Sequence, residues 1–225
     1  MLEVFFIFTI LACAPADGLG MRRFSIPSTS MEPTLHVGGA LEAYRCSYGL
    51  SRYSYDWFAL PIVGRWPALA PARGDIVTFR LPRDTSTFYL KRVIGLPGDR
   101  VQLREGRVYL NGTMVAREVE PRVHATDMDG KDLVVYLESL PGAAPYTIAM
   151  EEEPGPLENT PEYEVPPGNV FVLGDNRDNS NDSRIAADKM GVGYVPIENI
   201  FGRVMAAESW PPGLFGAFGP SGLKR

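Results

Sequence analysis

The chain has 225 residues, 45% hydrophobic and 22% charged, so it can bury a core and is neither disordered nor a polytopic membrane protein. Its 23 glycines and 20 prolines favour short strands and turns over a helical bundle. The net charge of −5, the two cysteines and the two histidines argue against a nucleic-acid reader, a disulfide scaffold and a multi-histidine metal site.

A short apolar segment, residues 2–14, opens the chain, and we take residues 1–20 as a unit of their own. As a helix it spans about 20 Å, less than the roughly 30 Å of a bilayer's hydrocarbon core. Three interpretations stay open: a short membrane anchor or its stump, a processed export signal, and a buried apolar strand or helix. Arg22 and Arg23 follow the segment, and this charge order disfavours export of what comes next.

The body of the chain has the pattern of a β protein. Residues 44–69 are crowded with aromatic side chains, which suits either a cover over the core or a surface that meets the membrane interface. Alternating apolar residues predict strands over 75–80, 101–103 and 107–110, and a glycine-bounded apolar run predicts a buried strand over 168–174. Asn111-Gly112 predicts a type I′ hairpin turn. We therefore expect a mainly β, antiparallel fold.

An acidic, proline-rich stretch interrupts this body. Residues 118–168 hold 12 acidic and 2 basic side chains and eight of the prolines, whereas the rest of the chain has a net charge of +5. A mildly basic body is compatible with anionic lipid head groups. The composition therefore predicts an insertion whose surface differs from that of the main domain.

Two segments suggest chemistry without histidine. Residues 26–35 are rich in serine, threonine and proline, which taken alone is typical of a loop. Lys91 lies inside an apolar, strand-like run, where it either projects outward or points inward. If it points inward, burial lowers the pKa of its ammonium group and makes it a usable general base for a serine nucleophile. The serine-hydrolase elbow, zinc-protease, phosphate-loop and calcium-loop patterns are absent.

Three motifs occur in order along the chain: PSTSMEPTL at 27–35, YLKRVIGLPGD at 89–99 and GDNRDNSNDSR at 174–184. Together they closely resemble the signature boxes of bacterial signal peptidase I, a membrane-bound leader peptidase with a Ser-Lys catalytic pair. The resemblance continues through residues 193–196, 198–199 and 202–203. Each box alone is moderately specific, and the three in this order are very specific.

The resemblance implies a role for each matching residue. Ser30 would be the nucleophile and Lys91 the general base, with the Ser28 hydroxyl and the Ser30 N–H as the oxyanion hole. Ser180 would hydrogen-bond and orient the lysine. Asp182, Arg184 and Asp175 would support the site. The shallow pockets for small substrate side chains would be formed by Ile26, Pro27, Met31, Leu35, Tyr89 and Leu90.

The resemblance also implies an antiparallel β catalytic domain, over 21–111 and 167–225, with a smaller β-rich domain inserted at 112–166. The implied function is removal of signal peptides from exported preproteins after a small residue, without metal or organic cofactor and without nucleic acid. The implied location is the bacterial cytoplasmic membrane, with the catalytic domain on its outer face and in contact with lipid. Two alternatives remain: a specialised pilin or conjugation maturation peptidase with the same Ser-Lys pair, and a non-enzymatic, membrane-associated β module that binds peptides.

Overall fold

The structure is a computed structural model that describes residues 20–56, 59–123, 125–126, 130 and 132–207. The apolar segment at 2–14 and the C-terminal tail lie outside these residues, so the three interpretations of that segment stay open. Within the described ranges, no helix has both the length and the apolar character needed to cross a bilayer.

Strands and three short 3₁₀ turns make up the regular structure of the described residues. The turns are Thr29–Met31, Ala187–Lys189 and Ile197–Asn199. The strands, in chain order, are β1 Met21–Ser25, β2 Ala40–Tyr44, β3 Leu50–Ser51, β4 Arg65–Trp66, β5 Ile76–Leu81, β6 Asp84–Gly95, β7 Arg100–Arg104, β8 Arg107–Leu110, β9 Thr113–Met114, β10 Ala116–Val119, β11 Ala125–Thr126, β12 Asp132–Ser139, β13 Tyr146–Met150, β14 Tyr163–Glu164, β15 Asn169–Leu173, β16 Val195–Pro196 and β17 Ile200–Ala207.

The largest sheet has seven strands in the order β1-β2-β17-β5-β6-β15-β16, and every neighbouring pair is antiparallel. Strand β6 is long, and only its second half pairs with β15, beginning at Arg92 and ending at Gly95. Its first half pairs with β5 alone among the described strands, and β1 pairs with β2 alone. The outer edge of β1 and the edge of β6 along its first half are therefore left without a β partner in the described part of this sheet.

Two four-stranded sheets cover the other part of the molecule, one built on β12 and the other ordered β14-β7-β8-β9. Their inward side chains share one apolar cluster with residues of the seven-stranded sheet. That cluster includes Ile94 of β6, Ile148 of β13 and Phe171 of β15, all fully buried. Because one core joins strands far apart in sequence, the sheets hold one another in place.

These observations confirm the predicted mainly β, antiparallel fold. The alternating segments form β5, β7 and β8, and the glycine-bounded run forms β15. Asn111 and Gly112 join β8 to β9 with φ values of 53° and 80°, as a type I′ turn requires. The predicted domain boundaries at 112 and 166 stay a prediction, and β7 and β8, which precede the first of them, pack in the same cluster as β13.

Candidate active site

Ser30 lies on the 3₁₀ turn that follows β1. Met31 and Leu35, one on each side of a reversal of the chain, are almost fully buried in an apolar cluster with Phe201 and fix the turn to the sheet. A hydrogen bond from the Leu35 N–H to the Met31 carbonyl, 2.9 Å, closes the reversal. Anchored in this way, Ser30 is 9% exposed and its hydroxyl faces β6.

Lys91 meets that hydroxyl from β6. Its Nζ donates to Ser30 Oγ at 2.6 Å and to the Leu90 carbonyl oxygen at 2.9 Å. The side chain is 4% exposed, so of the two orientations left open by the sequence the inward one is found. Burial lowers the pKa of Lys91 to about 8, although the carboxylates of Asp182 and Asp175 act to raise it. A substantial fraction of this amine is therefore neutral near physiological pH.

Ser28 lies in extended backbone just before the turn, with φ −138° and ψ 156°. Its Oγ is 3.1 Å from Ser30 Oγ, and both serines line the same groove. The Ser28 hydroxyl can therefore turn toward a charge that develops beside Ser30. This is the position that an oxyanion-hole donor needs.

Two buried ion pairs lie beneath the lysine. Arg92, next to Lys91, donates from Nε and Nη2 to the two oxygens of Asp175 at 2.7 and 2.6 Å. Arg184 donates from Nε to Asp182 at 2.8 Å, and the Gly174 N–H donates to the same carboxylate at 3.1 Å. Burial alone would raise the pKa of Asp182, but Arg184 and these hydrogen bonds hold it below its usual value.

The contacts of Ser180 differ from the predicted ones. Its hydroxyl lies near enough to Asp182 to help lower the pKa of that carboxyl, yet it has no hydrogen-bond partner of normal geometry among the described residues. The implied hydrogen bond to Lys91 is therefore not formed, because the Lys91 amine is directed at Ser30 Oγ and the Leu90 carbonyl. Ser180 instead packs against Gly174, where a Cβ would lie 2.2 Å from its Oγ.

A groove of about 590 Å³ opens above the Ser-Lys contact, between the end of β1 and the first half of β6. Of the residues predicted to bind substrate, Ile26, Pro27, Met31, Tyr89 and Leu90 line it. Leu35 does not line it; this side chain is fully buried in the apolar cluster that also contains Met31. Side chains that we did not predict complete its apolar walls: Phe24, Leu41 and Phe88. No cluster of three or more metal-ligating side chains occurs in the described part of the chain.

Three further buried polar residues were missed by the sequence analysis. Glu138 on β12 pairs with Arg177 of the third box, and the Tyr146 hydroxyl on β13 donates to Glu138 at 2.5 Å. One signal could have pointed to Glu138: it is a charged residue inside an apolar strand-like run, as Lys91 is. Its partner could not be found from local pattern, because Glu138 and Arg177 are 39 residues apart.

Comparisons with known proteins identify the family of this chain. A family model described as "Signal peptidase, peptidase S26" matches residues 1–208. Signal peptidase I of Pseudomonas aeruginosa is 39% identical over 197 residues, which cover 84% of this chain and 65% of that protein. Signal peptidase I of Rickettsia canadensis is 37% identical over 194 residues, covering 81% and 69%. The chain thus spans about two thirds of the length of these relatives.

A solved structure of a signal peptidase I from Enterococcus faecalis also matches, with 28% identity, a TM-score of 0.36, and coverage of 60% of this chain and 96% of that one. The family model and the curated relatives confirm the resemblance that the three boxes indicated, and with it the class of serine endopeptidases. The chain belongs to the signal peptidase family, peptidase S26.

Proposed function

We propose that this chain removes signal peptides from exported preproteins by an acyl-enzyme mechanism. The observation that carries the proposal is the 2.6 Å contact between Lys91 Nζ and Ser30 Oγ, made by a buried amine whose pKa is lowered to about 8. A neutral amine at this distance can accept the hydroxyl proton, which converts a weak nucleophile into a strong one.

In the proposed reaction, Lys91 takes the proton of Ser30 as the hydroxyl oxygen attacks the carbonyl carbon of the scissile peptide bond. The Ser28 hydroxyl and the Ser30 N–H donate to the oxyanion that forms. Protonated Lys91 then gives the proton to the leaving amine, and the C–N bond breaks. A water molecule, deprotonated by Lys91, attacks the resulting ester. The bond between Ser30 Oγ and the acyl carbon breaks, Lys91 returns the proton to Ser30 Oγ, and the signal peptide leaves with a free carboxyl group.

The groove supports binding of an extended peptide. Its two sides are the free edge of β1 and the first half of β6, which has no second β partner among the described strands. A substrate segment laid between them can add as a strand and place alternate side chains in the apolar walls. Ile26, Met31 and Leu90 would leave room only for small side chains next to the cleaved bond.

The neighbouring ion pairs have supporting roles in this proposal. Asp175 fixes Arg92 and thereby the backbone next to Lys91, while Asp182 and Arg184 hold the chain that carries Ser180. The Asp175 and Asp182 carboxylates also limit how far burial depresses the pKa of Lys91. The base therefore stays strong enough to remove a hydroxyl proton. We assign Ser180 to packing beneath the lysine.

For location, we propose the outer face of the cytoplasmic membrane, in contact with lipid. The resemblance of the three boxes to those of bacterial signal peptidase I implies this location. In the aromatic segment, Val63, Trp66 and Leu69 are 100%, 44% and 51% exposed. Apolar and tryptophan side chains of this kind suit the membrane interface. Replacing all three with serine should weaken co-flotation with phospholipid vesicles.

The two alternative functions are less well supported. The relatives that match most of the chain are named signal peptidase I, which does not favour a specialised maturation peptidase. The direct contact between a buried lysine and a serine hydroxyl does not favour a non-enzymatic peptide-binding module.

The deciding experiment is cleavage of a preprotein with an Ala-x-Ala site by purified protein in detergent. Ser30→Ala should abolish cleavage, and Lys91→Ala should lower the rate by at least the roughly 10²–10⁴-fold that a general base contributes. Ser86→Ala and Lys189→Ala are matched controls, because both residues are exposed and lie outside the groove. Full activity in Ser30→Ala, with the fold intact by circular dichroism, would refute the proposal.

A further inference from the structure

A buried ion pair joins the strands β12 and β13 to the third box. Glu138 and Arg177 are each 1% exposed, and Arg177 donates from both terminal nitrogens to the Glu138 carboxylate, from Nη1 at 3.2 Å. Burial alone would raise the pKa of Glu138, but the Arg177 guanidinium lowers it below its usual value. The pair is therefore ionic. Neither residue lines the groove.

Such a pair is a poor device for stability alone. Removing two charges from water costs about as much as their attraction returns, and apolar residues of similar volume often stabilise a protein as well or better. What a buried pair does supply is a fixed position, because the planar guanidinium and the carboxylate meet in one geometry. Glu138 therefore fixes where the Arg177 side chain lies.

Arg177 in turn fixes the backbone of residues 174–177. Its Nε donates to the Gly174 carbonyl at 3.2 Å, and its own N–H donates to the Ala149 carbonyl of β13 at 2.9 Å. The Ala149 N–H donates back to the Asp175 carbonyl at 2.9 Å. The segment is thus held from one side by the Arg177 side chain and from the other by β13.

The same short segment contacts Ser30 and Arg92, the residue next to Lys91. The Asn176 N–H donates to the Ser30 carbonyl at 3.2 Å, and a Cβ on Gly174 would come within 2.5 Å of that carbonyl oxygen. Asp175 holds Arg92, the residue next to Lys91. A shift of residues 174–177 therefore moves Ser30 and the backbone of Lys91 together.

Tyr146 contacts the Glu138–Arg177 pair and the Arg92–Asp175 pair at once. Its hydroxyl donates to Glu138, and its ring lies over the Arg92 guanidinium, with 4.1 Å from the guanidinium carbon to the ring centre. On strands β12 and β13, Glu138 and Tyr146 are directly opposite one another. The hairpin thus presents one acidic and one aromatic side chain to the two arginines behind the site.

We propose that Glu138, together with Tyr146, is a positioning residue for the Ser30–Lys91 contact, acting through Arg177 and residues 174–177. Residues of the predicted insertion then set the distance between Lys91 Nζ and Ser30 Oγ, on which catalysis depends. This inference rests on the proposed function, because its effect is seen in the cleavage rate.

The test compares kcat and KM for a preprotein in detergent, with the folded fraction of each variant measured under the same conditions. Glu138→Gln removes the charge and retains the shape, and we expect kcat to fall about tenfold to a hundredfold, as displacement of a catalytic group does. KM should change less than about twofold, because the groove is untouched. Tyr146→Phe keeps the ring on Arg92 and should give a smaller fall in kcat.

Two further variants separate positioning from stability. The double variant Glu138→Leu with Arg177→Leu replaces the ion pair by apolar side chains; it should recover thermal stability while kcat stays low. Asp99→Asn is the matched control. Asp99 forms an ion pair with Arg73, with 2.7 Å between Arg73 Nη2 and Asp99 Oδ1, and neither residue lines the groove. That variant should lose stability and keep its kcat.

Each outcome decides the inference. A low kcat in Glu138→Gln and in the stable double variant supports it. The parental kcat per folded molecule in Glu138→Gln, or in the double variant, overturns it, since the pair would then serve stability alone. If Glu138→Gln does not fold, kcat in the double variant and in Tyr146→Phe decides between positioning and stability. Cleavage by Ser30→Ala would instead overturn the proposed function.

Discussion

Lys91 is subject to two opposing influences on its pKa. Burial against apolar side chains lowers the pKa, while two carboxylates below the strand raise it, and the balance lies at about 8. A lysine kept near its ordinary pKa would be almost fully protonated at neutral pH and would be a poor base. A lysine without the carboxylates would be neutral but weaker as a proton acceptor. The site therefore depends on both.

The pH profile follows from this balance. The neutral form of Lys91 increases as the pH rises through about 8, so kcat/KM should rise through that range and reach a plateau above it. The measurement is kcat/KM for preprotein cleavage across the pH range in which the protein stays folded. Lys189→Ala should leave the curve in place, whereas an acid limb near pH ~6.5 would indicate a histidine and contradict the assignment.

Gly174 is a position where any side chain would disturb the catalytic pair. A Cβ there would lie 2.2 Å from Ser180 Oγ and 2.5 Å from the Ser30 carbonyl oxygen, closer than atoms can approach. We expect Gly174→Ala to cost about 1–3 kcal/mol of unfolding free energy, as overpacking does. It should also lower kcat about a hundredfold by displacing Ser30.

Gly112→Ala is the control for that prediction. Gly112 has a φ of 80°, and among the described residues no atom lies within 4 Å of the place that an added Cβ would take. It lies on the hairpin turn away from the groove. This variant should lower thermal stability through backbone strain alone and keep its kcat. If Gly174→Ala were as active as Gly112→Ala, the close approach of Gly174 to Ser30 would be without catalytic consequence.

At the scale of single elements, the local sequence pattern predicted where the strands lie, but it did not predict which residues they contact. Alternation was enough to predict β5, β7 and β8, although only β7 and β8 alternate in burial and every residue of β5 is buried. The contact between Ser30 and Lys91 joins residues 61 positions apart, and spacing alone left open whether Lys91 points inward. The resemblance to a known family closed that gap. The hydrogen bond from the Ala149 N–H to the Asp175 carbonyl depends on tertiary packing, and no local sequence pattern indicated it.

The junction between β6 and the third box should respond to pH in a characteristic way. Asp175→Asn leaves Arg92 buried without its carboxylate, which should cost about 3–5 kcal/mol of unfolding free energy. The same change removes a charge that raises the pKa of Lys91. The residual activity should therefore show its acid limb at lower pH than in the parent protein.

Thermal melts and pH profiles of Asp175→Asn and Asp99→Asn, measured side by side, check this prediction. Both carboxylates hold an arginine, but only Asp175 acts on Lys91. An unshifted acid limb in a folded Asp175→Asn variant would show that the base does not sense the buried pair.

At the scale of the whole molecule, the predicted insertion and the catalytic sheet share one core. The cluster around Ile148 of β13 also contains Ile94 of β6, together with Phe171 and Leu173 of β15. Strand β13 in addition pairs with the third box through Ala149. The predicted insertion therefore cannot separate from the catalytic sheet without exposing this apolar cluster, which packs against β6, the strand that carries Lys91.

Ile148→Ala tests this coupling. The residue is fully buried in the shared cluster, so its truncation should cost about 2–5 kcal/mol of unfolding free energy. If the core is common, loss of cleavage activity and loss of far-UV circular dichroism should move together to the same lower midpoint. Val119→Ala, at a 62% exposed position of β10, should leave both midpoints unchanged. Activity that survives past a first, lower transition would mean that the inserted strands unfold by themselves, and that the catalytic sheet retains its geometry without them.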